Sequence, residues 1–118
     1  MGNGFEDLQV WRRSRVLAVR VCKSFKDCRD FGFRDQITRS SVSVPSNIAE
    51  GAERNSKKEF IQFLGYARGS AGELRTQLLI AGDLGYLPMA DIVELVDEAT
   101  QISRMLFGLM KSQEGDIT

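Results

Sequence analysis

A chain of 118 residues, 42% hydrophobic and 27% charged, has the composition of one soluble globular domain with enough length for a core. Lys+Arg and Asp+Glu number 16 each, so the net charge is zero and bulk basicity gives no sign of nucleic acid. Histidine is absent, which removes the commonest general base and the commonest transition-metal ligand. The composition therefore predicts no enzyme, no cofactor and no metal.

The start Met-Gly-Asn-Gly-Phe-Glu-Asp has no apolar run behind a basic segment, and no stretch approaches 18 apolar residues. The expectation is a cytoplasmic protein with neither signal peptide nor membrane span. Two prolines and long periodic segments predict an all-α chain.

Residues 1 to 6 read as a lead-in. Helix one is predicted from about Asp7 to Cys28. Val10, Trp11, Ser14, Leu17, Ala18, Val21, Cys22, Phe25 and Cys28 fall within an arc of roughly 140° and form its core stripe. Cys22 and Cys28 would then lie about 9 Å apart along the helix, beyond the roughly 7 Å limit for a disulfide, as buried free thiols. Arg12, Arg13, Arg15, Arg20, Lys23 and Lys26 occupy the other side. They form either a solvated face or a candidate nucleic-acid contact. Leu8, Val16 and Val19 lie in that same face, and apolar residues outside a bundle make a candidate subunit interface.

Asp30 and Gly32 mark a short connection. Helix two is predicted over residues 33–53, its apolar face carried by Phe33, Ile37, Ser41, Val44, Ile48 and Gly51. Pro45 lacks an N–H, and its ring opposes the carbonyl of Ser41. Either two short helices meet at Val44-Pro45 or one long helix kinks there. The phase of the apolar face continues across the proline and favours one kinked helix, with Ser41, Ser43 and Ser46 available to bond freed backbone groups.

Asn47 and Glu50 stand among Ile48, Ala49, Gly51 and Ala52, which leaves little polar surface. A buried Glu there needs a cation or takes up a proton. Arg39, Arg54 and Arg68 are the candidate cations. The expectation is a structural polar network of Arg39, Ser43, Asn47, Glu50, Arg54, Arg68, Ser70 and Glu73.

Ser56 followed by Glu59 is a capping box that opens helix three, predicted over 56–84. Phe60, Leu64, Ala67, Ala71, Leu74, Leu78 and Ala81 make a heptad seam. Gly65, Gly69 and Gly72 share another face and predict close approach by a neighbouring element, helix two. Gly85 suits a helix C-terminus and Pro88 a helix start. Helix four is predicted over 89–112 with the seam Ile92, Leu95, Ala99, Ile102, Leu106 and Leu109. Its first half carries Asp91, Glu94, Asp97 and Glu98, and residues from Gln113 onward are expected to fray. Four amphipathic helices on short connections predict an up-down-up-down antiparallel four-helix bundle, with basic helix one beside acidic helix four.

The runs Gln36-Ile-Thr-Arg39 and Ser43-Val-Pro-Ser-Asn-Ile-Ala-Glu-Gly51 resemble the signature of proteins encoded by intervening sequences in bacterial 23S ribosomal RNA genes. So do Leu8-Gln-Val-Trp11, Lys58-Glu-Phe60, Phe63-Leu64, Ala67-Arg-Gly-Ser70, Glu73-Leu74 and Leu84-Gly-Tyr86. Where such proteins often carry Phe-Pro with a Glu soon after, this chain has Phe25-Lys-Asp-Cys28. The resemblance implies a four-helix bundle without assigned enzymatic activity. The chain is also similar to the accessory protein of diversity-generating retroelements, which implies a homopentamer and contact with nucleic acid. Those nucleic-acid binders are strongly basic, and this chain is neutral.

Overall fold

Two side-chain caps and one turn set the register of the bundle. The computed structural model describes residues 4–115. Asp30 opens α2 (Phe31–Ala52) by accepting the Phe33 N–H on Oδ1 at 3.2 Å. Ser56 opens α3 (Lys57–Asp83), its Oγ accepting the Glu59 N–H at 3.1 Å and its hydroxyl donating to Glu59 Oε1 at 3.2 Å. These caps satisfy N–H groups that a helix start leaves unpaired. At the end of α3, Tyr86 N–H donates to Ala81 O at 2.9 Å and Gly85 N–H to Gly82 O at 3.1 Å. With Gly85 at φ +73°, this is the Schellman arrangement that stops a helix and turns the chain. Pro88 follows, and its carbonyl accepts from Asp91 and Ile92 as α4 (Met89–Gly115) begins.

Helix α1 (Gln9–Ser24) is shorter than its periodicity predicts. Phe25 leaves helical geometry at φ −106°, ψ 7°, with its side chain buried and its N–H still on Val21 O. Its ring meets Phe33, which in turn meets Tyr86 edge-on at 5.3 Å, so apolar packing ends the helix and anchors the connection. Cys28 therefore lies in the connection rather than on α1. Both Cys22 and Cys28 are free and half-buried, not buried as expected. Helix α2 starts two residues earlier than predicted because Asp30 caps it. Helix α4 continues to Gly115, its last turns carrying a Lys111–Glu114 pair. Ahead of α1, Phe5–Asp7 form a 3-10 turn, with the Phe5 ring edge-on to Trp11 at 5.0 Å. The outermost ends of the predicted lead-in and of the frayed tail lie outside the described residues.

Helix α2 passes through Pro45 as a single helix. Ser41 Oγ donates to Thr38 O at 2.8 Å, and Asn47 Nδ2 donates to Ser43 O at 2.9 Å, so polar side chains from both sides of the proline bond main-chain carbonyls that precede it.

The helices pack in ring order, α1 against α2 and α4, and α3 against α2 and α4. Arg13 reaches Glu98 while Arg20 reaches Glu94, so α1 and α4 run antiparallel. The hydroxyl of Tyr86 donates to Asp30 Oδ2 at 2.6 Å, which puts the α1–α2 and α3–α4 connections at one end. One core runs the length of the bundle. Val21, Ile37, Ile48, Leu64, Leu74, Leu78, Ile102 and Leu106 are all closed to solvent. Each such side chain contributes about 1.5–3 kcal/mol of burial, before the entropy of ordering the chain. Among the described glycines, Gly51 stands closest to a neighbouring helix. A Cβ there would stand 2.6 Å from Phe63 Cβ and 3.3 Å from the Phe60 main-chain oxygen. Glycine at this one position lets α2 and α3 meet.

Candidate interaction surfaces

The predicted polar network does not assemble as one cluster. Glu50 lies outward on α2, its side chain 54% exposed, and pairs with Arg54 at 2.8 Å one turn later. Ile48 and Gly51 are near it in sequence, but they lie on the buried face of the helix. Arg54 also approaches Glu59 at 3.7 Å and stacks over the Phe63 ring at 4.9 Å. This group ties the α2–α3 corner together at the surface. Arg68 belongs to the opposite side of α3, where its guanidinium covers Phe107 of α4 at 4.8 Å. It is therefore nowhere near Asn47. Arg39, Ser43 and Glu73 line a cleft of about 310 Å³ between α2 and α3, with Gln36, Ser40 and Gln77. Gln77 Oε1 there is buried without a hydrogen-bond partner among the described residues. Ser70 is half-buried on α3.

The glycine face of α3 also departs from expectation. Nothing lies within 4 Å of a Cβ placed at Gly69 or Gly72, and at Gly65 only Met110 of α4 comes near, at 3.7 Å. Gly65 and Gly69 line an open groove between α3 and α4 with Arg68, Ser103 and Met110. Helix α2 makes its close approach through Gly51 instead.

The basic face of α1 is only partly free. Arg13 is half-buried and grips Glu98 with two nitrogens, at 2.9 and 2.6 Å, while also donating to Gln101 at 2.7 Å. Its hydrogen bond to Glu98 holds the guanidinium pKa above its ordinary value, outweighing the opposing effect of burial. Arg20 donates to Glu94 at 2.5 Å. Arg12 is held by the Glu6 carbonyl and by Asp7. Arg15 lies over the Trp11 ring at 5.6 Å. Lys23 and Lys26 are exposed and make no ion pair among the described residues.

The same face carries Val16 and Val19, both exposed. Leu8 is half-buried against the core, so it is set apart from the two valines. A second apolar group lies outside the expected interface residues. Leu79, Ile80, Leu84, Met89 and Val93 are exposed around the α3–α4 connection. The signal for it was in the sequence, as apolar residues off the core seams of two adjoining helices. From residue 76 to 98 there are also five Asp or Glu and no Lys or Arg. Among the described residues no group of three or more His, Cys, Asp or Glu is placed to hold a metal ion, and no helix is long and apolar enough to cross a membrane.

The family model described as 23S rRNA-intervening sequence protein matches residues 6–108. The chain belongs to that family. Among solved structures it is similar to a protein of unknown function from the S23 ribosomal protein family of Bacteroides thetaiotaomicron. Sequence identity is 26% and the TM-score 0.81, covering 86% of this chain and 98% of that one. No curated protein matches the chain.

Proposed function

We propose that this member of the 23S rRNA-intervening sequence protein family is a non-enzymatic scaffold that works as a cytoplasmic homo-oligomer. Five copies is the number that its resemblance to the retroelement accessory protein implies. The observation that carries this reading is Val16 and Val19. They lie one turn apart and exposed on a helix whose core stripe is complete without them. Single exposed apolar residues are ordinary, whereas neighbouring ones on an outer face mark contact surfaces. Light-scattering mass of the purified chain tests it. A mass of several subunits, reduced to one subunit by Val16→Asp with Val19→Asp while helicity is retained, supports the scaffold. A wild-type chain that stays a monomer at tens of micromolar refutes it.

A second reading is nucleic-acid binding through Arg12, Arg15, Lys23 and Lys26. It is favoured by the two lysines, which make no ion pair among the described residues. Repetition around an oligomer would concentrate that field. It requires affinity for a short structured RNA that falls steeply between low and moderate salt. Binding that ignores salt, or no binding at low salt, rules it out.

A further inference from the structure

We infer that the α3–α4 corner is the surface that receives α1 of a second copy of this chain, so that the subunit contact is head-to-tail. The inference rests on the homo-oligomer reading and names its second face. Both patches have apolar centres. Val16 and Val19 are 59% and 47% exposed, and Leu79 and Val93 are 52% and 63% exposed. Their surroundings carry opposite charge. Residues 8 to 29 hold seven Lys or Arg and one acid, while residues 75 to 98 hold five acids and one base, the half-buried Arg75 one turn before Leu79.

Charge decides which faces meet. Pairing the α1 patch with its own copy across a two-fold axis would bring Lys23 and Lys26 toward like charges. Pairing the corner with itself would do the same for Asp83 and Asp97. Like charges opposed across an interface cost several kcal/mol, whereas α1 against the corner sets cation against carboxylate. The pairing inside the subunit does not exhaust these groups. Arg13 and Arg20 are taken by Glu98 and Glu94, but Lys23, Lys26, Asp83 and Asp97 make no ion pair among the described residues.

Height along the bundle agrees. The Arg20–Glu94 bond at 2.5 Å puts Val19 level with Val93. A Cβ at Gly82 would lie 3.3 Å from Ile92 Cγ1, which puts Leu79 within about one turn of the same level. Patches at equal height let neighbouring bundles stand side by side without a stagger. Such a contact between two different faces closes into a ring when its rotation allows. A standard footprint of ~800 Å² per partner is most of one long side of a bundle measuring 48 × 23 × 22 Å, so a side-on contact has room for it.

The test is complementation between two blocked subunits. One variant carries Val16→Asp and Val19→Asp, and the other Leu79→Asp and Val93→Asp. All four positions are exposed, and circular dichroism checks that each variant keeps its helices. The expected masses by light scattering are several subunits for the wild type, one for each variant alone, and two for the equimolar mixture. In the mixture, one intact corner meets one intact α1 and nothing further can add. A corner variant that keeps the wild-type mass overturns the inference, as does a mixture that stays monomeric. Either result leaves the oligomer itself standing. A monomeric wild type instead sinks the homo-oligomer reading beneath it. If the corner variant loses helicity, Asp83→Lys with Asp97→Lys takes its place. The expected result is then loss of the oligomer, restored by adding Lys23→Glu and Lys26→Glu to the same chain. Failure of that rescue also overturns the inference.

Discussion

Replacing Gly51 by alanine sets two physical effects against each other. In a helix interior alanine is favoured over glycine by up to about 1 kcal/mol. At Gly51 the added Cβ would meet Phe63 Cβ at 2.6 Å. Carbon atoms pack at about 3.5–4.0 Å, so the two helices must separate by roughly 1 Å. No rotamer change at Phe63 relieves this, because Cβ is fixed to the backbone. Phe60 closes a second side, its main-chain oxygen 3.3 Å away. Overpacking of this kind costs about 1–3 kcal/mol, and the net expectation is a loss of about 1–2 kcal/mol. The control is Gly72→Ala on α3, where a Cβ meets nothing within 4 Å. There the helix preference acts alone and the expectation is a gain of about 0.5–1 kcal/mol. For a chain of this length 1 kcal/mol corresponds to about 4 °C in melting temperature. Thermal melts of both variants in the Val16→Asp/Val19→Asp background keep subunit association out of the comparison. Gly51→Ala should melt about 4–8 °C lower and Gly72→Ala about 2–4 °C higher. If Gly51→Ala stabilises as much as Gly72→Ala, the close approach of α2 to α3 is not what requires glycine.

The other predictions concern the polar contacts. A double-mutant cycle on Arg13 and Glu98 should give a coupling of about 1–2 kcal/mol, since the pair is half-buried and bidentate. The same cycle on the more exposed Arg20 and Glu94 should give less than about 1 kcal/mol. Equal couplings would remove the role assigned to burial. Glu50→Ala should cost at most about 0.5 kcal/mol in urea denaturation, because its pair with Arg54 is exposed; a loss above about 3 kcal/mol would mean that Glu50 is buried after all. The bond from Tyr86 to Asp30 lowers the Asp30 pKa, with the Phe33 N–H adding to the effect, and raises the Tyr86 pKa. The Asp30 contribution is therefore present above its unfolded pKa and lost as pH falls through the lower folded value. The Tyr86 contribution is present below its unfolded pKa and lost as pH rises through the higher folded value. The stability gap between wild type and Tyr86→Phe should be widest between about pH 5 and 9 and close on both sides. A gap that does not vary with pH would dismiss that bond.

What was legible in the sequence and what was not separates by the range of the interaction. The seams of α3 and α4, the Ser56–Glu59 cap and the Gly85 turn depend on residues within a few positions of one another, and all four are where the periodicity places them. Pro45 also behaves as the phase of the apolar face requires, inside one helix. The departures from expectation concern which neighbour lies across a gap. A buried Glu50 is expected from the small and apolar residues beside it in the chain, yet on a helix Ile48 and Gly51 turn inward while Glu50 turns out. The α3 glycines suggest α2 as their neighbour, but a helix face says only that something small is tolerated, not what stands opposite. The end of α1 at Ser24 was hidden because Phe25 continues the apolar stripe while its packing against Phe33 ends the helix.

The surfaces follow the same division. A net charge of zero describes the whole chain, but the bundle sorts that charge into a cationic α1 and an anionic stretch leading into α4. Folding places the two side by side and spends Arg13 and Arg20 on Glu98 and Glu94. Sequence alone shows the two blocks. Only the packing shows that Lys23 near the end of α1, Lys26 just past it, Asp83 at the end of α3 and Asp97 on α4 make no ion pair among the described residues. In the proposed assembly, a neutral chain arranged this way would have little net repulsion between copies, and its opposed charged faces would favour contact between copies over bulk attraction to a polyanion.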